Sequence, residues 1–135
     1  MPIAYSLEPG LTAEEFRALL IASTLGERRP INDPPRLETM LRQADLIVTA
    51  RDGRRLVGVS RAITDFSYSC YLSDLAVDVA YQRQGIGKRL IAETRKSAGG
   101  ELITLLLVAA PAAEGYYPRI GMQQRTCWTI PKTKR

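Results

Sequence analysis

At 135 residues and about 15.0 kDa, the chain has the size of one domain with a single core. Its 45% apolar and 24% charged residues exclude a disordered or collagen-like chain, and the absence of histidine excludes Ser-His-Asp and Cys-His catalysis and His-ligated metal sites. The net charge of +5 divides unevenly, −2 over residues 1–78 (9 basic, 11 acidic) and +7 over residues 79–135 (10 basic, 3 acidic). The second part is therefore the side expected to meet an anion, be it nucleic acid, an anionic membrane surface or a polyphosphate cofactor.

Ile3 to Leu7 alternates weakly and reads as a short strand ending at Pro9-Gly10. Nothing in MPIAYSLEPG has the form of a signal peptide. Thr12 with Glu15 three residues on is a capping box, which predicts a helix through Phe16, Leu19 and Leu20 to about Leu25. After the loop GERRPINDPP, Asp33 caps a second helix that carries Pro34 and Pro35 in its first turn and runs to about Ala44. Leu46 to Ala50 and Leu56 to Ile63 form a hairpin around Asp52-Gly53, and Tyr68 to Val79 is a third β run.

From Gly85 to Ala98 the apolar positions Ile86, Leu90, Ile91 and Ala98 recur at helical spacing, and Gly99-Gly100 closes the helix. The run ITLLLVA predicts a central strand covered on both faces. Pro111 opens a short helix to about Arg119, and Gln123 to Ile130 reads as a last strand. The fold class is thus α/β (α+β), a single domain over residues 1–135 with a mixed, mostly antiparallel central sheet and helices on both faces. The longest apolar stretch, Leu102 to Ala113, is too short to span a bilayer, so no membrane partner is expected. Cys70 and Cys127 stand in apolar or aromatic surroundings and form no CxxC pair. Buried free thiols in a reducing, cytoplasmic compartment are expected, with a disulfide open only if their strands are neighbours.

The informative segment is Asp74-Leu75-Ala76-Val77 followed by Gln82-Arg83-Gln84-Gly85-Ile86-Gly87-Lys88, a strand running through a glycine turn into a helix. Unpaired amides at a helix N-terminus form an anion site, and Gly85 and Gly87 leave it unobstructed, with Arg83 and Lys88 adding charge. The same glycines also serve simply to pack a helix closely on a sheet. A dinucleotide fingerprint lacks its third glycine here, and the Walker pattern fails because Arg89 follows Gly87-Lys88.

Gln82-Arg83-Gln84-Gly85-Ile86-Gly87 resembles the acetyl-coenzyme A signature Gln/Arg-x-x-Gly-x-Gly/Ala of the GCN5-related N-acetyltransferase (GNAT) superfamily. The preceding Leu75-Ala76-Val77 and the later run Ala112 to Met122, with its two tyrosines and Gly121, are similar to that family as well. Met122 stands where the family usually has phenylalanine. The resemblance implies an acetyl-CoA-dependent N-acetyltransferase acting on a primary amine by direct attack in a ternary complex. It implies that backbone groups of Leu75, Ala76 and Val77 bond the pantetheine arm, and that the amides from Arg83 to Lys88 receive the pyrophosphate. It further implies that the strand splays from Ile103–Val108 to admit the thioester. Tyr117 falls on the family's general acid, while Tyr116 matches a packing position.

The base is open. Asp74 either lies near the acceptor amine, directly or through water, or is a surface or turn carboxylate; Asp65 and Asp78 are weaker candidates, and Glu114 is helix surface. In this family the loop 26–35, the helix 34–44 and the aromatics Phe66, Tyr68 and Tyr71 would line the acceptor side, where a small amine, an amino acid or a peptide amine would each pass. Two other classes stay in view: a catalytically inactive acyl-CoA-binding sensor or regulatory module, and a nucleic-acid binder using the tail Lys132-Thr133-Lys134-Arg135. The latter lacks aromatics interleaved with its basic residues. Apolar strands at 105–108 and 125–130, the second carrying Trp128, predict an edge covered by a second copy, hence a homodimer.

Overall fold

Strands β1 (Ala4–Leu7), β2 (Leu46–Asp52), β3 (Arg55–Thr64), β4 (Ser69–Val77) and β5 (Thr104–Leu106) form one sheet, ordered β1-β2-β3-β4-β5, in a computed structural model that describes residues 2–134. Met1 and Arg135, the latter part of the basic tail, lie outside the described residues. The first three pairings are antiparallel and β4–β5 is parallel, the mixed and mostly antiparallel sheet expected. Helices α1 (Ala13–Ala22) and α2 (Pro34–Arg42) cover one face, and α3 (Ile86–Ala98) covers the other.

The caps act as read. Thr12 Oγ1 accepts from the Glu15 amide at 3.2 Å, and Asp33 Oδ1 accepts from the Arg36 amide at 3.3 Å. Phe16, Leu19 and Leu20 of α1 and Leu37 and Leu41 of α2 pack on Ile47, Val59 and Ala76. On the opposite face Ile86 and Leu90 of α3 meet Val48, Ala50 and Val57. Burial on both faces is why Leu46–Ala50 and Val57–Ala62 are buried without alternation. At the contact with α3 a Cβ on Gly58 would come within 3.0 Å of Leu90 Cδ1 and 3.1 Å of Ile86 Cγ2, so glycine sets how closely the helix approaches.

A β-bulge in β4 decides which side chains face which helices. Arg61 pairs with Asp74 but Ala62 pairs with Leu72, which leaves Ser73 as the extra residue. Cys70 consequently packs with Ala62 and Ala98, while Ala76 packs with α1 and α2.

Several boundaries differ from the expectation. The first helix stops at Ala22, where the Ser23 hydroxyl turns back onto the Leu20 carbonyl at 3.0 Å, and a 3₁₀ turn follows over Leu25–Arg28. The third β run ends at Val77, and Val79–Tyr81 is a 3₁₀ turn capped by Asp78. The run expected as a central, doubly covered strand is instead the short edge strand β5, with Thr104 and Leu106 exposed. The segment after Pro111 divides into a 3₁₀ turn, Pro111–Ala113, and the single turn α4, Tyr116–Arg119. Residues 123–130 form no strand among the described residues and lie exposed beyond the sheet. Cys127 is correspondingly exposed rather than buried, whereas Cys70 is buried and free.

Candidate active site

The parallel ladder between β4 and β5 spans only Ser69–Tyr71 and Thr104–Leu106. Beyond Tyr71, β4 continues to Val77 on β3 alone, so half of its backbone groups there have no strand partner. A cleft of about 720 Å³ opens at that divergence. Leu72, Leu75, Ala76 and Val77 form one wall, and Leu107, Val108 and Pro111–Ala113 the other. Tyr117 of α4 and Gln82 also line it, and Ser23–Leu25 and Glu27–Arg29 close the remaining side.

Each sequence-predicted residue can be placed. Leu75, Ala76 and Val77 border the cleft, and Gln82 Nε2 donates to the Val77 carbonyl at 3.0 Å, tying the glycine turn to the strand end. Arg83 and Gly85 adopt positive φ (66° and 81°), and Gln84 lies exposed between them. The first intrahelical bond runs from the Arg89 amide to the Gly85 carbonyl at 3.1 Å. The amides of Ile86, Gly87 and Lys88 therefore have no helical acceptor and carry the positive end of the α3 dipole. The Ile86 side chain is buried in the core, so only its amide is available to a ligand.

These residues suit an anionic phosphate group. A Cβ on Gly87 would sit 3.2 Å from the Tyr116 hydroxyl, so the helix N-terminus is a place where a polar oxygen already approaches the backbone closely. Burial raises the Tyr116 phenol, and the Lys88 backbone acts in the opposite sense. Tyr117, on the cleft side, is raised by burial first and by the neighbouring Tyr116 second, and the two rings meet edge to face at 5.3 Å. Its phenol is a retained proton facing the cleft at neutral pH.

Asp74 departs from both sequence expectations. It is neither at the surface nor in the cleft wall; its side chain is fully buried, with one carboxylate oxygen accepting from Arg29 Nε and the other from Arg61 Nε. Arg61 also donates to Ser73 Oγ (3.0 Å), and Arg29 to the Ser73 and Arg28 carbonyls (both 2.9 Å). The carboxylate is thus committed to two guanidiniums, and what it holds in place is the 3₁₀ turn that closes the cleft. Phe66, Tyr68 and Tyr71 do not line the cleft either, since they belong to the far end of β4 and its turn. Of the expected acceptor elements, the start of the loop reaches the cleft and α2 does not. Glu27 and Arg29 fall within the loop expected on the acceptor side, but no local signal in the sequence singles out either of them or Arg61 as a site residue. An arginine inside the apolar run Val57–Ile63 is the one signal that a buried carboxylate waits opposite it.

Among the described residues no helix is long and apolar enough to cross a membrane, and no group of three or more His, Cys, Asp or Glu could hold a metal ion. Residues 29–126 match the family model described as the acetyltransferase (GNAT) domain. An uncharacterized N-acetyltransferase ycf52 from Gracilaria tenuistipitata var. liui is 32% identical over 79 residues, 58% of this chain and 43% of that protein. The chain thus spans less than half the length of that curated relative. A GNAT-family acetyltransferase structure from Streptococcus pneumoniae TIGR4 superposes with a TM-score of 0.75 at 24% identity, covering 98% of this chain and 100% of that one. The aminoglycoside N-acetyltransferase AAC(6')-Iy, solved in complex with CoA, superposes with a TM-score of 0.75 at 15% identity over 99% of this chain and 96% of its own. At these identities the two structures share the fold.

Proposed function

The chain belongs to the GNAT acetyltransferase domain family, and from that premise we propose that it transfers the acetyl group of acetyl-CoA to a primary amine by direct attack in a ternary complex. The observation that carries the proposal is the parting of β4 from β5 after Tyr71, which opens unpaired strand backbone onto a cleft walled by Tyr117. An acyl-pantetheine arm would lie along Leu75–Val77, with its pyrophosphate on the amides of Arg83 to Lys88. CoA supplies the activated thioester; alignment, charge and protons come from the chain.

The amine nitrogen bonds to the thioester carbonyl carbon, and the carbon–sulfur bond breaks. Tyr117 gives its hydroxyl proton to the departing sulfur, and the proton released by the amine passes to water, from which the Tyr117 phenolate is reprotonated. Glu27 is the one carboxylate bordering the cleft among the described residues, which supports it as the group that takes a proton from an acceptor ammonium before the neutral amine attacks. Asp74 is better cast as the residue that holds Arg29, and with it the Glu27 turn, in place. Arg28 and Arg29 beside Glu27 favour an acceptor whose amine sits near an anionic group, such as an amino acid or a peptide. The exposed thiol of Cys127 is in keeping with work in the reducing cytoplasm, and the open outer edge of β5 is in keeping with a homodimer.

Thiol release from acetyl-CoA with a panel of amino acids, their carboxamides, lysine peptides, polyamines and aminoglycosides tests this reading. Amine-dependent release is expected, greater for an amino acid than for its carboxamide. Acetyl-CoA binding without release for any amine would instead favour the inactive acyl-CoA-binding module.

A further inference from the structure

The β4–β5 ladder ends on a row of exposed apolar side chains. Ile63 of β3 pairs with Tyr71 of β4, and Tyr71 with Leu106 of β5, so the three project from the same face of the sheet. That face is the one α1 and α2 cover, because Arg61, two residues before Ile63, donates to the Met40 carbonyl, and Val59 packs with both helices. The helices stop short of the row, which leaves Ile63, Tyr71 and Leu106 50%, 37% and 44% exposed. Tyr71 and Leu106 form the last rung before the strands part, so the row stands at the lip of the cleft. Its neighbour on the same face is the Arg61–Asp74 pair, to which Arg29 ties the 3₁₀ turn Leu25–Arg28. The turn is closely fixed: Thr24 holds φ 71°, and a Cβ on Gly26 would come within 3.1 Å of the Leu20 carbonyl oxygen. Arg29 is engaged by Asp74 and by the Ser73 and Arg28 carbonyls, whereas Glu27 and Arg28 enter no ion pair among the described residues.

We propose that the acceptor is a free α-amino acid with a large apolar side chain, which lies on the Ile63–Tyr71–Leu106 row while Glu27 meets its ammonium and Arg28 its carboxylate. The inference rests on the acyl transfer proposed above and names its second substrate. Neighbours in a 3₁₀ turn point about 120° apart, so Glu27 and Arg28 are poorly placed to satisfy each other and well placed to flank a ligand of both charges. An α-amino acid carries its ammonium and its carboxylate on either side of one carbon. Its side chain then leaves the cleft over the lip, where every methylene laid on the row removes apolar surface from water. A guanidinium holds a carboxylate through two parallel bonds, which a neutral amide cannot reproduce. A peptide amine therefore forfeits the Arg28 contact, and a polyamine forfeits both that contact and the row.

The test is thiol release from acetyl-CoA with L-leucine, glycine, L-aspartate, L-leucinamide and leucylglycine, together with calorimetric titration of L-leucine into the CoA-loaded protein. Wild type is expected to show kcat/KM about tenfold higher for leucine than for any of the other four. Leu106→Ser and Ile63→Ser, both at exposed positions, should each cut the leucine-to-glycine ratio by about threefold, through KM. Arg28→Ala should weaken leucine and glycine together and bring leucine level with leucinamide, and Arg28→Lys should recover part of the difference. In Leu106→Ser, Ile63→Ser and Arg28→Ala the leucine dissociation constant should rise in step with KM, with far-ultraviolet circular dichroism as in wild type. Glycine, aspartate, leucinamide or leucylglycine used as well as leucine would overturn this inference and leave the acyl-transfer reading standing. A leucine-to-glycine ratio unchanged in both serine variants would do the same. No thiol release with any amine would overturn both.

Discussion

Arg61 and Asp74 stand opposite each other in the β3–β4 register, and their side chains form a buried ion pair directed toward α2. The pair exists because the bulge at Ser73 turns Asp74 to the helix-covered face, where an unpaired carboxylate would be costly. Arg29 joins from the 3₁₀ turn after α1, so a strand, its neighbour and the cleft rim share one carboxylate.

Asp74→Ala should therefore act on stability before it acts on chemistry. Removing the carboxylate leaves Arg61 buried without its counter-charge, for which a loss of about 3–5 kcal/mol is expected in urea unfolding. Asp74→Asn, which keeps the shape, should lose less and leave the pH dependence of turnover in place. An unfolding midpoint unchanged in both variants would show that the pair contributes nothing to the fold.

Acid sensitivity should be traceable to Glu8. Its carboxylate accepts from Arg51 Nη2 at 2.6 Å, Arg51 Nε at 2.9 Å and Thr49 Oγ1 at 2.8 Å, and the Arg51 bonds hold its pKa below the usual value of 4.5. A carboxyl with a depressed folded pKa stabilises the protein fully above its unfolded value and loses that contribution as pH falls through the folded one. Glu8→Gln should cost about 1–2 kcal/mol at neutral pH, and the gap from wild type should narrow as pH falls below the usual carboxyl value of 4.5. A gap that stays constant throughout the acid range would assign the effect to packing.

The anion site at α3 is tested at Gly87. Valine there meets the far end of the Tyr116 side chain rather than backbone, so the fold should survive. Acetyl-CoA should raise the wild-type melting temperature by binding the folded state and should fail to raise that of Gly87→Val. Unchanged affinity by calorimetry would place the phosphates elsewhere.

How far the sequence can be read follows from what each feature depends on. Helix α3 and the Gly53 hairpin were legible because periodicity and positive-φ glycines are local, and Gly53 indeed adopts φ 61°. The Leu75–Val77 wall and Tyr117 were legible through a resemblance that spans most of the chain. Arg61–Asp74 was not, because a bulge shifts the register across two strands and nothing at Ser73 announces it. The surroundings of Phe66, Tyr68 and Tyr71 were misplaced for a related reason, since which end of β4 faces the cleft depends on where β5 stops pairing. Residues 125–130 carry strand composition, but a strand is a property of two paired segments, and composition reads only one.

In the proposed acyl transfer the Tyr117 hydroxyl is the acid for the leaving sulfur. Burial holds that phenol above its usual value of 10.0, so no alkaline loss of activity from its ionisation is expected below that pH. Tyr117→Phe and Tyr116→Phe, assayed side by side with the best amine, give the most direct measurement. Turnover should fall by about 10- to 1,000-fold in Tyr117→Phe with Michaelis constants little changed, and stay close to wild type in Tyr116→Phe. Near-wild-type turnover in Tyr117→Phe, or a large loss confined to Tyr116→Phe, would contradict the account.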